Sequence, residues 1–258
     1  MKAVCFECSQ TIEHDELEAF AEAFLTHARA EHEWPYPDQA IRNYAEATQR
    51  LTGGSERLPE IGAISVHPVT EDRVDDWAAF FDHDAFVGTP EWAACYCLEP
   101  HTGSPDGTPP AGEHPHWRQN REGMVKRLKG GASFGYLAYV GGKPAGWVNA
   151  SKRSDYSLYR FDNADTPPGE DVIGVSCFII APPYRRHGIA AALLDRVIED
   201  APDRGAGWIE AYPFNEVRES DARNFRGLRS MYGERGFDAV EEQTNHTVMR
   251  LDLRTQTR

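Results

Sequence analysis

The chain has little sulfur and no long apolar run. Five cysteines and four methionines are spread over 258 residues. The cysteines are too few and too unevenly spaced for a disulfide framework, so a reducing compartment is expected. No apolar stretch approaches the roughly 20 residues that a membrane helix needs. The opening Met1-Lys-Ala-Val-Cys-Phe-Glu-Cys8 lacks the apolar core of a signal peptide. The expected setting is the cytoplasm, with no membrane partner. Positive charge is also short: 27 Lys and Arg face 41 Asp and Glu, for a net charge of −14. That balance argues against a nucleic-acid partner. Neither Gly-x-Gly-x-x-Gly nor Gly-Lys-Ser/Thr occurs, which removes the nucleotide cradles built on those patterns. No internal repeat is visible.

What the chain does contain is a strand, a basic turn and a helix in that order. Val172-Ile-Gly-Val-Ser-Cys-Phe-Ile-Ile180 reads as a buried β-branched strand, stopped by Pro182 and Pro183. A helix follows, with Ile189, Leu193 and Val197, joined by Leu194 and Ile198, on one inward stripe. The junction leaves backbone N–H groups free at a helix start, where the dipole favours an anion. Gly188 lets the backbone approach a ligand, and Arg185 and Arg186 add charge beside it. His187 lies in the same turn and suits a phosphate contact. The segment predicts a diphosphate cradle at the end of a buried strand.

The spacing Arg185-x-x-Gly188-x-Ala190, approached through Ile180, Pro182 or Pro183 and Tyr184, resembles the acyl-coenzyme A signature of the GNAT superfamily of N-acetyltransferases. The order of elements agrees. A hairpin, Phe134–Val140 with Ala145–Ala150 across the Gly141–Pro144 turn, precedes the cofactor strand. A second strand, Gly207–Tyr212, and a helix through Phe225–Tyr232 follow it. Tyr232-Gly-Glu-Arg-Gly236-Phe237 resembles the family's Tyr-x-x-x-Gly-Phe, and 245–253 alternates as an exposed-face strand should. The resemblance spans about residues 63–253. It implies an α/β (α+β) fold: a mixed, mostly antiparallel twisted sheet flanked by helices.

The resemblance also implies acetyl-coenzyme A as cosubstrate and direct attack of an amine on its thioester. Cys177, Phe178, Ile179 and Ile180 would pair with the pantetheine arm, with a backbone N–H near Phe178 for the oxyanion. Arg185, Arg186, His187, Gly188, Ile189 and Ala190 would hold the pyrophosphate. Tyr232 stands where the family places a tyrosine acid, and reads equally as a core aromatic. Asn224 is the nearest counterpart of an asparagine often found before that tyrosine, one residue out of the usual spacing. Glu210, alone in an apolar strand, is the first candidate base, because burial raises a carboxylate pKa toward neutrality. Glu170 and Asp171 are second choices. The acceptor stays open among small molecules, peptides and protein lysines. A non-catalytic acyl-coenzyme A sensor that contacts a protein partner is the alternative, and a homodimer stays open.

The first sixty residues carry a separate signal. Cys5-x-x-Cys8 is followed after 18 residues by His27 and His32, the ligand types of tetrahedral structural zinc. Leu17, Phe20, Ala21 and Phe24 make one helix face between them. His32 lies five positions past His27, about 140° around an ideal helix, so the last turn is expected to tighten or fray. The helix is acidic, so a DNA-reading finger is excluded and a structural or protein-contact module is expected. Leu51–Gly62 has linker composition, giving a zinc-binding helical module and linker at 1–62 and a catalytic domain at 63–258. Within the latter, Ile64–Pro68 reads as a strand, Glu71–Phe81 and Asn120–Leu128 as helices, and 99–116 as an irregular insertion facing the active site. Cys95, Cys97, His101, His114 and His116 form a weaker ligand cluster. Cys95 and Cys97 are read as sharing one strand face, as free thiols lining a substrate pocket.

Overall fold

A computed structural model describes residues 1–5, 7–34, 36–103, 117–159 and 167–255. The chain opens with β1 (Lys2–Val4) and β2 (Thr11–Glu13), an antiparallel pair. Helix α1 (Leu17–His32) follows and ends where Glu33 turns left-handed, at φ 49°. Helix α2 (Asp38–Thr48) then packs back on α1. Phe20, Ala21, Phe24, Leu25 and Ala28 fall on one stripe of α1. They form a small core with Cys5, Ile12, Trp34, Ile41, Tyr44 and Ala45.

Sequence reading missed α2, whose apolar residues serve two cores. Ile41 and Tyr44 face α1, while Ala47 joins the larger core beneath the main sheet. The Asn43 side-chain oxygen accepts the Trp117 N–H at 2.8 Å, and Arg50 pairs with Asp82 at 2.5 Å. The N-terminal piece is therefore seated on the rest of the chain, although no helix or strand lies between Thr48 and Ile64.

Next come β3 (Ile64–Pro68), α3 (Val74–His83), the short α4 (Glu99–Thr102) and α5 (Trp117–Lys129). The hairpin β4 (Gly135–Val140) and β5 (Lys143–Lys152) leads to β6 (Val172–Ile180), α6 (Ile189–Asp200) and β7 (Trp208–Ala211). The chain closes with α7 (Arg229–Gly233), β8 (Asp238–Glu242) and β9 (Thr247–Asp252). Seven strands form one sheet in the order β3-β4-β5-β6-β7-β9-β8. Every neighbouring pair is antiparallel except β6 with β7. This is the mixed, mostly antiparallel sheet that the family resemblance implied.

Side chains alternate between its two faces, as the strand period requires. Tyr136, Ala138, Val148 and Phe178 meet α6 through Ile189, Leu193, Leu194 and Val197. Leu137, Trp147, Cys177 and Ile179 meet Trp77 and Phe81 of α3 and Met124 and Leu128 of α5. Among the described residues, no helix is long and apolar enough to cross a membrane.

Three local expectations differ from the structure. The helix expected over 225–232 shrinks to five residues, because Gly227 turns left-handed at φ 78° and breaks the run. Strand β9 is mostly buried and does not show one wet face, since Val248 packs among Tyr156, Tyr159 and Tyr212 and Arg250 lies against Glu210. Acidic β8 was not anticipated; its charges suit an edge strand. Cys95 and Cys97 do not share a strand face. The chain turns there, with Tyr96 and Cys97 at φ 49° and 50°.

Candidate functional site

Strands β6 and β7 pair only over Val172–Val175. On the other side of β6, Asn149 faces Cys177 while Ala150 faces Val175, which leaves Ser176 as an extra, bulged residue. A bulge bends its strand and ends pairing, so the rest of β6 parts from β7. A cavity of about 480 Å³ opens beside that parted end, within the usual range of about 300–1,000 Å³ for small-molecule sites.

Eight of the ten residues expected to bind cofactor line it: Phe178, Ile179, Ile180, Arg185, Arg186, Gly188, Ile189 and Ala190. The other two do not. Cys177 points into the core, its Sγ 3.4 Å from that of Cys97. The His187 Nε2–H donates to the Leu58 carbonyl at 2.9 Å, tying the turn to the segment after α2.

The turn presents backbone donors and arginines to the cavity. Gly188 caps α6 at φ 81° without any side-chain cap, and Gly188 to Ala191 all border the cavity. First-turn N–H groups are thus left for a ligand. Arg185 donates from Nε to the Ile180 carbonyl at 3.0 Å, which fixes its stem against the strand end. Burial pulls its pKa down, and it forms no ion pair among the described residues. Arg186 sits at φ 67°, a conformation that costs a non-glycine residue about 1–2 kcal/mol. Its Nε lies 3.1 Å from the Asp221 carboxylate.

The far wall comes from Thr89, Trp92, residues 217–222, Asn224, Phe225, Gly227 and Leu228. No periodic pattern marks them. Asn224 staples this loop, accepting from the Arg218 N–H at 3.0 Å and donating to the Ser220 carbonyl at 2.7 Å. The loop also reaches the cofactor strand. The Phe178 N–H, expected to be an open oxyanion donor, donates to the Phe225 carbonyl at 2.6 Å. A strand amide that has lost its partner must find another acceptor, and the returning loop supplies it.

Neither candidate catalytic residue borders the cavity. Tyr232 is fully buried against Phe237 and donates its hydroxyl to the Arg226 carbonyl at 2.7 Å. Burial pushes its pKa well above the usual tyrosine value. Glu210, expected to be a base, is also fully buried, and its oxygens are occupied. Arg153 Nη1 donates to both at 3.0 and 3.1 Å, and Arg250 Nη2 lies 2.8 Å from Oε1. The Tyr212 hydroxyl adds a bond at 3.3 Å. This is an ion-paired strut that runs from the turn after β5 across β7 to β9. Glu170 pairs with Lys152 at the surface, at 3.3 Å.

The second ligand cluster does not assemble among the described residues. His101 is buried beside Asn149, its Nε2 3.1 Å from the amide nitrogen, and burial pushes its pKa down to about 4. Burial pushes the Cys95 thiol up to about 12. His114 and His116 lie outside the described residues, and neither Cys95 nor Cys97 lines the cavity.

The N-terminal four do meet. Cys5, Cys8, His27 and His32 place their ligand atoms within 4.8 Å of one another. Cys5 Sγ lies 3.3 Å from His32 Nε2, Cys8 Sγ 3.5 Å from His27 Nε2, and the two Nε2 atoms 3.2 Å apart. Zinc bonds of about 2.3 Å to sulfur and 2.0–2.1 Å to nitrogen give tetrahedral edges of about 3.5 and 3.3 Å. The spacing fits. Helix α1 stays regular through His32, so the imidazole arms span the offset and the backbone need not fray. Sequence reading missed Glu7, whose Oε2 lies 3.0 Å from His32 Nδ1 and whose Oε1 accepts the Trp34 indole N–H at 2.7 Å. Such a carboxylate holds the ring with Nε2 toward the cluster.

The sequence profile of the acetyltransferase (GNAT) family matches residues 92–237. The chain belongs to that family. No curated protein matches it. Among solved structures, the chain is similar to an acetyltransferase of the GNAT family from Streptococcus pneumoniae at 15% identity and TM-score 0.43, over 74% of this chain and 99% of that one. The GNAT domain of S. lividans PAT is similar at 17% and TM-score 0.45, over 74% and 92%. The PaiA N-acetyltransferase of Thermoplasma acidophilum, in complex with coenzyme A, is similar at 11% and TM-score 0.44, over 74% and 99%.

Proposed function

We propose that this protein transfers the acetyl group of acetyl-coenzyme A to an amine by direct attack on the thioester. The observation that carries the reading is the cavity at the parted strand, with an uncapped helix start and two arginines at one end. The diphosphate is assigned to the first-turn N–H groups of α6 with Arg185 and Arg186. The pantetheine arm is assigned to the β6 backbone through Ile180. The thioester oxygen would take the Phe178 N–H in place of the Phe225 carbonyl, and bind that donor more strongly as it becomes an oxyanion. Tyr232 is our candidate for protonating the leaving thiolate, once the same loop shift frees its hydroxyl from Arg226. Its raised pKa keeps it protonated and able to donate.

We also assign a structural zinc ion to Cys5, Cys8, His27 and His32, and divide the chain into a zinc-binding module and linker (1–62) and the acetyltransferase domain (63–258). The chemistry of the site supports this: burial, and then the neighbouring Cys8, raises the Cys5 pKa, and a bound cation offsets that penalty by favouring thiolate.

Acetyl-coenzyme A binding and thiol release across an amine panel test the reading. Tight binding without turnover on any amine would replace the enzyme with a sensor. Arg185→Ala removes a charge-assisted contact worth about 1.5–3 kcal/mol, so the dissociation constant for coenzyme A should rise about 10- to 100-fold. An unchanged constant would take the diphosphate away from this turn. Tyr232→Phe should lower kcat by about 100-fold with a smaller change in binding; equal rates at every pH would remove Tyr232 as the acid.

A further inference from the structure

Among the described residues, Arg226 is a cation without a counter-charge. Its Nε and Nη1 are closed off from solvent and have no hydrogen-bond partner, in a chain with 41 acidic residues. The nearby arginines show the usual solution, since Arg153 and Arg250 share Glu210. Arg226 is instead walled by rings: its guanidinium carbon lies 4.7 Å from the centre of Phe214, 5.6 Å from Tyr159 and 5.8 Å from Phe225. Aromatic faces stabilise a cation but accept no strong hydrogen bond. Buried donors left unpaired cost about 1–3 kcal/mol each, so a structure that keeps two of them invites a ligand.

The position tells which ligand. Phe225 and Gly227 border the cofactor cavity and Arg226 does not, so its side chain leaves the loop on the other side. The carbonyl just before it receives the Phe178 N–H, and its own carbonyl receives the Tyr232 hydroxyl. It therefore flanks the reacting centre. Tyr159, against which it rests, stacks on Tyr212 at 3.9 Å, and Tyr212 directly follows β7 where the two strands part.

We infer that Arg226 receives a carboxylate carried by the acceptor, which makes the acceptor an amino acid or a similar carboxylated amine. The inference rests on the acetyltransferase reading and adds the acceptor class to it. A carboxylate grips a guanidinium along one planar edge, and either edge contains one of the two unpartnered nitrogens, which the loop shift that frees the Phe178 N–H would open to the acceptor. The aromatic walls exclude water and strengthen that pair. The amine then lies on the acceptor side of the thioester, opposite the coenzyme.

The test compares amino acids with their amides, which differ only at the carboxylate, by thiol release from acetyl-coenzyme A. Wild type should favour the acids in kcat/KM by at least about tenfold. That preference should collapse in Arg226→Met and return in part in Arg226→Lys. Equal use of acids and amides by wild type, or a preference untouched in Arg226→Met, overturns the inference.

A second measurement needs no turnover. The His246 pKa is pushed down to about 4 by burial and then by the Arg226 charge. N-acetylglycine bound beside Arg226 should raise it, followed by NMR titration, and N-acetylglycinamide should not. Matching curves for the two probes also overturn the inference. Failure of the enzyme reading shows separately, as no thiol release from acetyl-coenzyme A with any amine, acid or amide.

Discussion

Stripping zinc with a chelator is expected to unfold residues 1–48 while leaving the main sheet folded. Among the described residues, the N-terminal core holds eleven buried side chains, of which Phe20, Phe24, Trp34 and Tyr44 supply most of the bulk. A piece of that size buries too little surface to stand alone. Structural zinc contributes apparent binding energies of about 10–16 kcal/mol in small modules at neutral pH, far more than such a core supplies. Removing the ion also leaves buried Cys5 and His27 facing their neighbours without the charge that organises them. Metal analysis should find about one zinc per chain, lost in Cys8→Ser. Amide exchange should then show α1 deprotected and β4–β6 unchanged. A protein refolded with zinc that binds none, and whose α1 exchanges equally slowly with and without chelator, would sink the assignment. Because α2 contributes Ala47 to the main core and Asn43 to the start of α5, some loss of acetyltransferase stability should accompany the unfolding.

How much of this was legible in the sequence follows from the range of each interaction. The elements around the cavity were legible because strand, turn and helix are consecutive, and periodicity with two prolines and a glycine marks each boundary. The meeting of Cys5, Cys8, His27 and His32 was legible for a similar reason: a tight Cys-x-x-Cys turn and one helix carry all four side chains. Glu7 was not, since nothing in its neighbourhood distinguishes it from the other acids around α1. The Phe225 carbonyl on Phe178 was equally hidden. It depends on a loop returning across 47 positions to fill a gap that a bulge at Ser176 creates. Glu210 shows the limit most clearly. Its isolation in an apolar strand was visible, and isolation suggested a base. Its partners lie 57 and 40 positions away, and only the sheet order brings them to it.

Glu210→Ala should accordingly act on stability before chemistry. The Glu210 side chain is fully buried, that of Arg153 is 7% exposed and that of Arg250 19%. Deleting the carboxylate strands two guanidinium groups against the sheet. Breaking a buried pair from one side costs about 3–5 kcal/mol, because the remaining charge keeps its desolvation penalty and loses its compensation. Arg153 also donates to the Pro167 carbonyl, so its displacement would loosen the approach to β6. In a domain of this size the melting temperature should fall by roughly 10 °C. Glu210→Gln keeps the volume but turns an acceptor into an amide whose NH₂ opposes a guanidinium, so it should recover only part of the loss. A base would behave differently. It would leave the melting temperature within about 1 °C of wild type, abolish turnover and remove the acidic limb of the pH–rate profile. That combination would return Glu210 to the chemistry, whereas a large stability loss with a retained pH profile in the folded fraction makes it the tie that holds β7 beside the parted end of β6.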